Sequence, residues 1–220
     1  MITYWIVETL NPLIVIEFFS LILAMLSSLL IYVKTSKIYS LTEHIGIRYF
    51  RKGFLFFSFA FLIKIFYWFL PHPILGNTIN SQTSFIISAL FSMIALSYLI
   101  SSMYYHKIKE YSIFLINFLI FILAFALSEA IIFGIYALIL FFGFGISSII
   151  KYKKSKKKFL SQVYLIYVSM FAFWIFLAFN QTFTNIFTIG RFCSSFLTGI
   201  FYLYLAYIVT NKLKIKNNKL

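Results

Sequence analysis

The 220-residue sequence contains no aspartate, only one cysteine and only three histidines. A single cysteine excludes an internal disulfide and a cysteine-based zinc site. The three histidines, His44, His72 and His106, all lie outside the long apolar segments. Little is left for acid–base, nucleophilic or metal chemistry. We therefore expect a protein that is not an enzyme and that holds no metal ion or other cofactor.

Charged residues are also scarce, since they make up 11% of the chain, whereas 62% of it is hydrophobic. A soluble domain carries about a quarter charged residues, so this chain has too little polar surface to cover a water-soluble globule. The composition predicts an integral membrane protein. The net charge of +14 does not indicate nucleic-acid binding, because the cations form short clusters between apolar segments.

Seven apolar segments approach the length of about 20 residues that a helix needs to cross a bilayer. They cover residues 13–33, 54–70, 84–104, 112–127, 130–150, 159–179 and 186–209. We expect a seven-transmembrane helix bundle, all-α, that forms one domain over residues 1–220. Only "LSEA" separates the fourth segment from the fifth, so a tight turn at Ser128 and Glu129 is required. The alternative is six spans, one of them a long buried helix.

The basic residues predict the orientation of these spans. Lysines and arginines follow the first, third, fifth and seventh segments and are absent from the other connections. Because cytoplasmic loops are rich in these residues, we expect a multi-pass protein of the cell membrane with its N-terminus outside and its C-terminus in the cytoplasm. The densest cluster is expected to contact anionic lipid headgroups or a protein partner: Lys151, Lys153, Lys154, Lys156, Lys157 and Lys158.

Three charged residues lie inside predicted spans: Glu17, Lys64 and Arg191. A lone charge in hydrocarbon costs ~2.5–3.5 kcal/mol, so such ions usually pair or face protein. At about 1.5 Å per residue, all three lie ~6–9 Å below the predicted outer surface. In one interpretation, Glu17 pairs with one cation while the other extends its head group outward. In the other, the two cations line a pocket for an anionic ligand, with these candidate neighbours: Glu129, Ser194, Ser195, Thr198 and Tyr202.

Smaller patterns predict packing and helix ends. From Glu17, small residues recur at helical steps in the first span, a spacing typical of packing seams between membrane helices: Ser20, Ala24, Ser27 and Ser28. Asn117, in the fourth span, is expected to bond a neighbouring helix. The stretch "SLTE", from Ser40 to Glu43, has capping-box spacing and predicts a short interfacial helix that leads into the second span.

Two functions remain open. We favour a ligand-sensing or partner-binding bundle, receptor-like or a subunit of a complex, with a charged pocket near the outer face. The alternative is a small-solute transporter with a three-plus-one-plus-three helix arrangement, suggested by the similar stretches "SSLLIYVKTSK" and "SSIIKYKKSKK". Transporters often break helices at the midplane with glycine or proline, whereas the first four predicted spans contain no interior glycine.

Overall fold

The structure is a computed structural model, and it describes residues 12–69, 77–105, 109–126, 130–155, 163–175 and 188–212. These ranges contain helices and no strands. The helices are α1 (Pro12–Thr42), α2 (Ile45–Phe69), α3 (Asn77–Met103), α4 (Glu110–Ala126), α5 (Ala130–Lys154), α6 (Val163–Ile175) and α7 (Thr188–Lys212).

Within the described ranges, three helices contain segments long and apolar enough to cross a membrane: Val15–Thr42, Ile86–Met103 and Gly134–Lys154. Shorter apolar stretches are Glu110–Leu123, Val163–Ile175 and Phe196–Asn211. Helix α2 is also long, but Arg51, Lys52 and Lys64 interrupt its apolar sequence. The expectation of a helical membrane protein is confirmed at this level.

The boundary between α1 and α2 differs from the predicted one. Helix α1 continues past residue 33 to Thr42, and Ser40 lies within its last turn, where its hydroxyl donates to a backbone oxygen. Glu43 then adopts a left-handed conformation, with φ of 49°, which ends the helix. The predicted capping box over Ser40–Glu43 is therefore wrong.

His44 caps α2 instead. Its Nδ1 accepts a hydrogen bond from the N–H of Gly46 at 3.1 Å, and its carbonyl oxygen accepts from the N–H groups of Ile47 and Arg48. The imidazole thus satisfies one of the donors that every helix N-terminus leaves without an internal partner.

Helices α4 and α5 are two separate helices that lie side by side. The Tyr136 hydroxyl of α5 donates to Asn117 Oδ1 of α4 at 3.2 Å. In one continuous helix these residues would be about 28 Å apart, so the alternative of a single long helix is wrong. The tight turn predicted at Ser128 and Glu129 lies outside the described residues.

The helices pack in a connected bundle. Helix α1 contacts α2 and α7, α2 also contacts α3, and α3 also contacts α4 and α5. Aromatic rings join α6 to this bundle, as where Trp174 lies 5.4 Å from Phe57 of α2 and 5.8 Å from Phe144 of α5. The main core draws residues from α1, α2, α3, α5, α6 and α7, with Phe54, Tyr167 and Tyr202 among its largest buried members.

The predicted seam in α1 is confirmed as a packing surface. Ser20, Ala24, Ser27 and Ser28 are all buried. A Cβ atom added to Gly199 of α7 would lie only 3.2 Å from the backbone oxygen of Ser20. The hydroxyls of Ser27 and Ser28 have no hydrogen-bond partner among the described residues. What these side chains contribute is their small size, which lets two helix backbones approach.

Candidate functional site

Glu17 and Lys64 meet at one end of the α1–α2 hairpin. Glu17 lies early in α1 and Lys64 lies late in α2, so the reversal at residues 43 and 44 brings them to the same end. The Glu17 carboxylate interacts electrostatically with the Lys64 ammonium. Glu17 is half-buried, but Lys64 is exposed, whereas the sequence argument expects it to be enclosed by the bundle. The two charges therefore lie at the same end of the hairpin and interact with each other.

The third charge of the predicted layer, Arg191, lies early in α7. Its side chain, like those of Ser194 and Ser195, lies outside the described part of the structure, and so does Glu129 altogether. Helix α7 nevertheless packs against α1, because Gly199 approaches Ser20 closely. The structure thus brings the helix that carries Arg191 beside the helix that carries Glu17.

Two candidate pocket neighbours lie on the part of α7 whose side chains are described. Thr198 is half-buried and interacts with another residue. Tyr202 is buried, with its ring centroid 5.1 Å from Phe61 and 6.3 Å from Phe57, both of α2. Tyr202 therefore fills the interface between α2 and α7, at the core of the bundle.

A second group of charges lies at the opposite end of the α1–α2 hairpin. Arg48 Nη2 is 2.6 Å from Glu110 Oε2, Lys52 also contacts Glu110, and the Tyr98 hydroxyl lies 3.4 Å from Glu110 Oε1. Glu110 is the first residue of α4, where the partial positive charge of a helix N-terminus favours a carboxylate. Sequence reasoning missed this cluster, although Glu110 is the one acid directly after the basic residues Lys107 and Lys109.

The Glu110 carboxylate forms ion pairs with two cations, Arg48 and Lys52. Partial burial lowers the pKa of Lys52, and the positive charges of Arg48 and then Arg51 lower it further. Both Arg48 and Glu110 keep contact with solvent, with 45% and 26% of their side chains exposed. The cluster therefore retains excess positive charge.

Aromatic rings cover several cations at this end. The Arg51 guanidinium lies 4.8 Å from the centroid of the Tyr32 ring and 5.3 Å from that of Tyr39. Lys151 Nζ lies 4.6 Å from the Tyr104 ring centroid, so the end of α5 meets the end of α3. Lys153 and Lys154 are exposed, whereas Lys156, Lys157 and Lys158 lie outside the described residues.

These contacts bring three basic connections together. Arg48 lies between α1 and the apolar part of α2, and it bonds Glu110, which directly follows the connection between α3 and α4. Lys151 lies at the end of α5, before the connection to α6, and its ammonium lies over the ring of Tyr104, just beyond α3. The described basic residues of all three connections thus share one end of the bundle. We call this the basic end.

A buried polar network joins three helices. Asn117 Nδ2 donates to Ser97 Oγ of α3 at 3.0 Å and to the carbonyl oxygen of Ile113 at 2.7 Å, while Oδ1 accepts from Tyr136. Asn117 is 2% exposed and Ser97 is 8% exposed. The expectation that Asn117 bonds a neighbouring helix is confirmed, and it bonds two.

Among the described residues, no group of three or more histidine, cysteine or acidic side chains could hold a metal ion. No protein-family model, no curated protein and no solved structure matches the chain.

Proposed function

We propose that the chain crosses the cell membrane seven times, with its N-terminus outside and its C-terminus in the cytoplasm. The meeting of three basic connections at one end supports this topology. Helices that alternate in direction bring every second connection to the same side, and the side rich in lysine and arginine is cytoplasmic.

We propose further that the protein is a ligand-sensing or partner-binding bundle, receptor-like or a subunit of a complex, that recognises negative charge near its outer face. The observation that carries this proposal is that the Glu17 carboxylate of α1 interacts electrostatically with the Lys64 ammonium of α2. An ammonium inside a span needs a counter-charge. Glu17 supplies one from the protein side, and in this proposal an anionic ligand supplies a second.

Arg191 adds to this positive charge. It lies eight residues before Gly199, about 12 Å along α7, whereas Glu17 lies three residues before Ser20, about 4.5 Å along α1. With α1 and α7 parallel, as the proposed topology requires, Arg191 is nearer the outer surface than Glu17 by about 8 Å, so these two residues do not share one depth as the sequence argument expects. An anion that enters from outside would then reach the level of Arg191 before that of Glu17.

The described helices give the transporter alternative little support. Helices α1, α2, α3 and α5 are continuous over 31, 25, 27 and 25 residues, with no break near their middle. Transporters that bind substrate at the midplane commonly use interrupted helices there. Flux of a labelled carboxylate into proteoliposomes would nevertheless select the transporter over the sensor.

Binding measurements on Lys64→Met test the proposal. Carboxylates of increasing chain length are added to the purified full-length protein, and the shift in unfolding temperature is recorded, because a ligand that binds only the folded state stabilises it. We expect a carboxylate to stabilise the wild type and to lose most of this effect in Lys64→Met.

Lys34→Met is the matched control, since it removes an exposed lysine near the other end of the same hairpin. It should respond like the wild type. If Lys64→Met lowers stability but leaves every carboxylate shift unchanged, the pair with Glu17 is structural and the ligand proposal fails.

A further inference from the structure

Arg51 is held by two tyrosines at the basic end. Tyr32 and Tyr39 lie two turns apart on the same face of α1. Their ring centroids lie 4.8 and 5.3 Å from the Arg51 guanidinium carbon. A guanidinium near the faces of two aromatic rings is attracted to both. The rings therefore fix the position of a cation that a long side chain would otherwise leave variable.

Arg51 has no anionic partner in the part of the chain that the structure describes. Its neighbours Arg48 and Lys52 share Glu110, but Arg51 forms no ion pair there. Its Nε is buried and has no hydrogen-bond acceptor among the described residues. A guanidinium carries five N–H donors and no acceptor. This one is held in place by the two rings, and since its Nε is buried, its terminal N–H groups are the donors that remain for a ligand.

The depth of Arg51 indicates which anion is available. It lies three residues before Phe54, where the second predicted span begins, or about 4.5 Å outside the hydrocarbon. Tyr32 lies at the end of the first predicted span. Tyrosines are enriched at this level of a membrane, beside the lipid headgroups. The phosphate groups of lipids are therefore the anions nearest to this side chain.

We propose that Arg51, braced by Tyr32 and Tyr39, binds the phosphate of an anionic phospholipid at the basic end. The planar fork of a guanidinium matches two phosphate oxygens at once. Basic pockets between membrane helices on the cytoplasmic side bind such headgroups. This site rests on the proposed topology, but it is at the opposite end of the α1–α2 hairpin from Lys64 and does not depend on the proposed ligand site there.

Lipid binding by the purified full-length protein tests this site. The protein in detergent is titrated with phosphatidylglycerol or with zwitterionic phosphatidylcholine, and bound lipid is counted by native mass spectrometry. We expect Arg51→Gln to weaken phosphatidylglycerol binding about tenfold, the loss of one charged hydrogen-bonding contact. Phosphatidylcholine binding should change little.

Lys34→Gln is the matched control, because it removes the same charge from an exposed position of α1. It should weaken phosphatidylglycerol binding less than twofold if the site is specific, on the order of one diffuse surface contact. Equal losses in Arg51→Gln and Lys34→Gln would show diffuse attraction and would overturn the proposal.

Two further measurements keep the test decisive if Arg51→Gln folds poorly. Arg51→Lys keeps the charge but not the fork, so a folded Arg51→Lys with wild-type affinity would contradict the proposed geometry, whereas reduced affinity supports it. Inorganic phosphate in excess should not displace the lipid. Displacement would reveal a site for soluble phosphate and would overturn the assignment to lipid.

Discussion

Helices α1 and α4 are both apolar, but they are held in the bundle in different ways. Helix α1 buries a seam of small residues, and the backbone of α7 approaches it at Ser20. Helix α4 buries Ile113 and Asn117 but exposes most of its large apolar side chains: Phe114, Leu115, Ile116, Phe118, Leu119, Ile122 and Leu123. Helix α1 thus has a close backbone approach, whereas α4 combines a few apolar contacts, at Ile113 and Phe114, with polar bonds at Asn117 and Glu110.

This difference follows from the solvent. In lipid, burying an apolar side chain against another helix removes it from surroundings that are equally apolar, so helices associate through close packing or hydrogen bonds. Exposed leucines and phenylalanines on α4 are thus no defect. The stability of each helix should instead depend on a few small or polar residues, and the two kinds of contact should respond differently to mutation.

The largest effect is expected where two backbones meet. Gly199→Leu inserts a side chain where even a Cβ would lie 3.2 Å from the Ser20 oxygen, so α1 and α7 must separate. Overpacking of this kind costs about 1–3 kcal/mol. Thermal unfolding of the purified protein should show a clearly lower unfolding temperature.

Gly143→Leu is the control, because a Cβ at Gly143 of α5 meets nothing within 4 Å. It should leave the unfolding temperature nearly unchanged or raise it slightly through better helix propensity. Equal losses in the two variants would mean that close approach at Gly199 does not determine how α1 is held.

The second effect concerns the polar bonds of α4. Asn117→Leu keeps the branched shape and the number of side-chain heavy atoms but removes the bonds to Ser97, Ile113 and Tyr136. Membrane hydrogen bonds average about 0.6 kcal/mol each, so we expect a loss of roughly 2 kcal/mol in the free energy of unfolding.

Ser97→Ala, which removes only one of these partners, serves for comparison and should cost about a third as much. An Asn117→Leu variant as stable as the wild type would show that α4 is held mainly by its apolar contacts. It would contradict the proposed difference between α4 and α1.

The sequence predicts these elements to different extents. Apolar length locates the helices, since it reports hydrocarbon thickness, but it does not fix their ends. Helix α1 extends beyond the apolar segment to Thr42 because helical hydrogen bonds continue outside the hydrocarbon until Glu43 adopts a left-handed conformation. That ending depends on Glu43 and on the cap that His44 provides, and the pattern "SLTE" suggested another cap.

The candidate sites show the same limit. A buried amide needs a partner, so the sequence predicts that Asn117 is bonded, but not that Ser97 and Tyr136 are the partners, which depends on how three helices align. The sequence also predicts that Glu17 and Lys64 lie at a similar depth, and the electrostatic interaction between them agrees with that prediction. It did not predict the exposure of Lys64, because depth along a helix does not determine which way a side chain faces.

The smallest effect is expected at the ion pairs of Glu110, which hold the first turn of α4. Glu110→Gln removes the charge that Arg48 and Lys52 share and weakens the favourable interaction with the helix N-terminus. Because these side chains are partly exposed, the loss should be only about 0.2–1 kcal/mol. It should also shrink as salt is added, since salt screens exposed charges. Unfolding at low and high salt measures both the loss of stability and its dependence on salt.

Glu43→Gln is the control: it removes the same charge from an exposed acid in the turn between α1 and α2, and it should change stability less. A loss at Glu110 that is independent of salt would contradict this assignment, because it would mean that the effect does not come from exposed ion pairs.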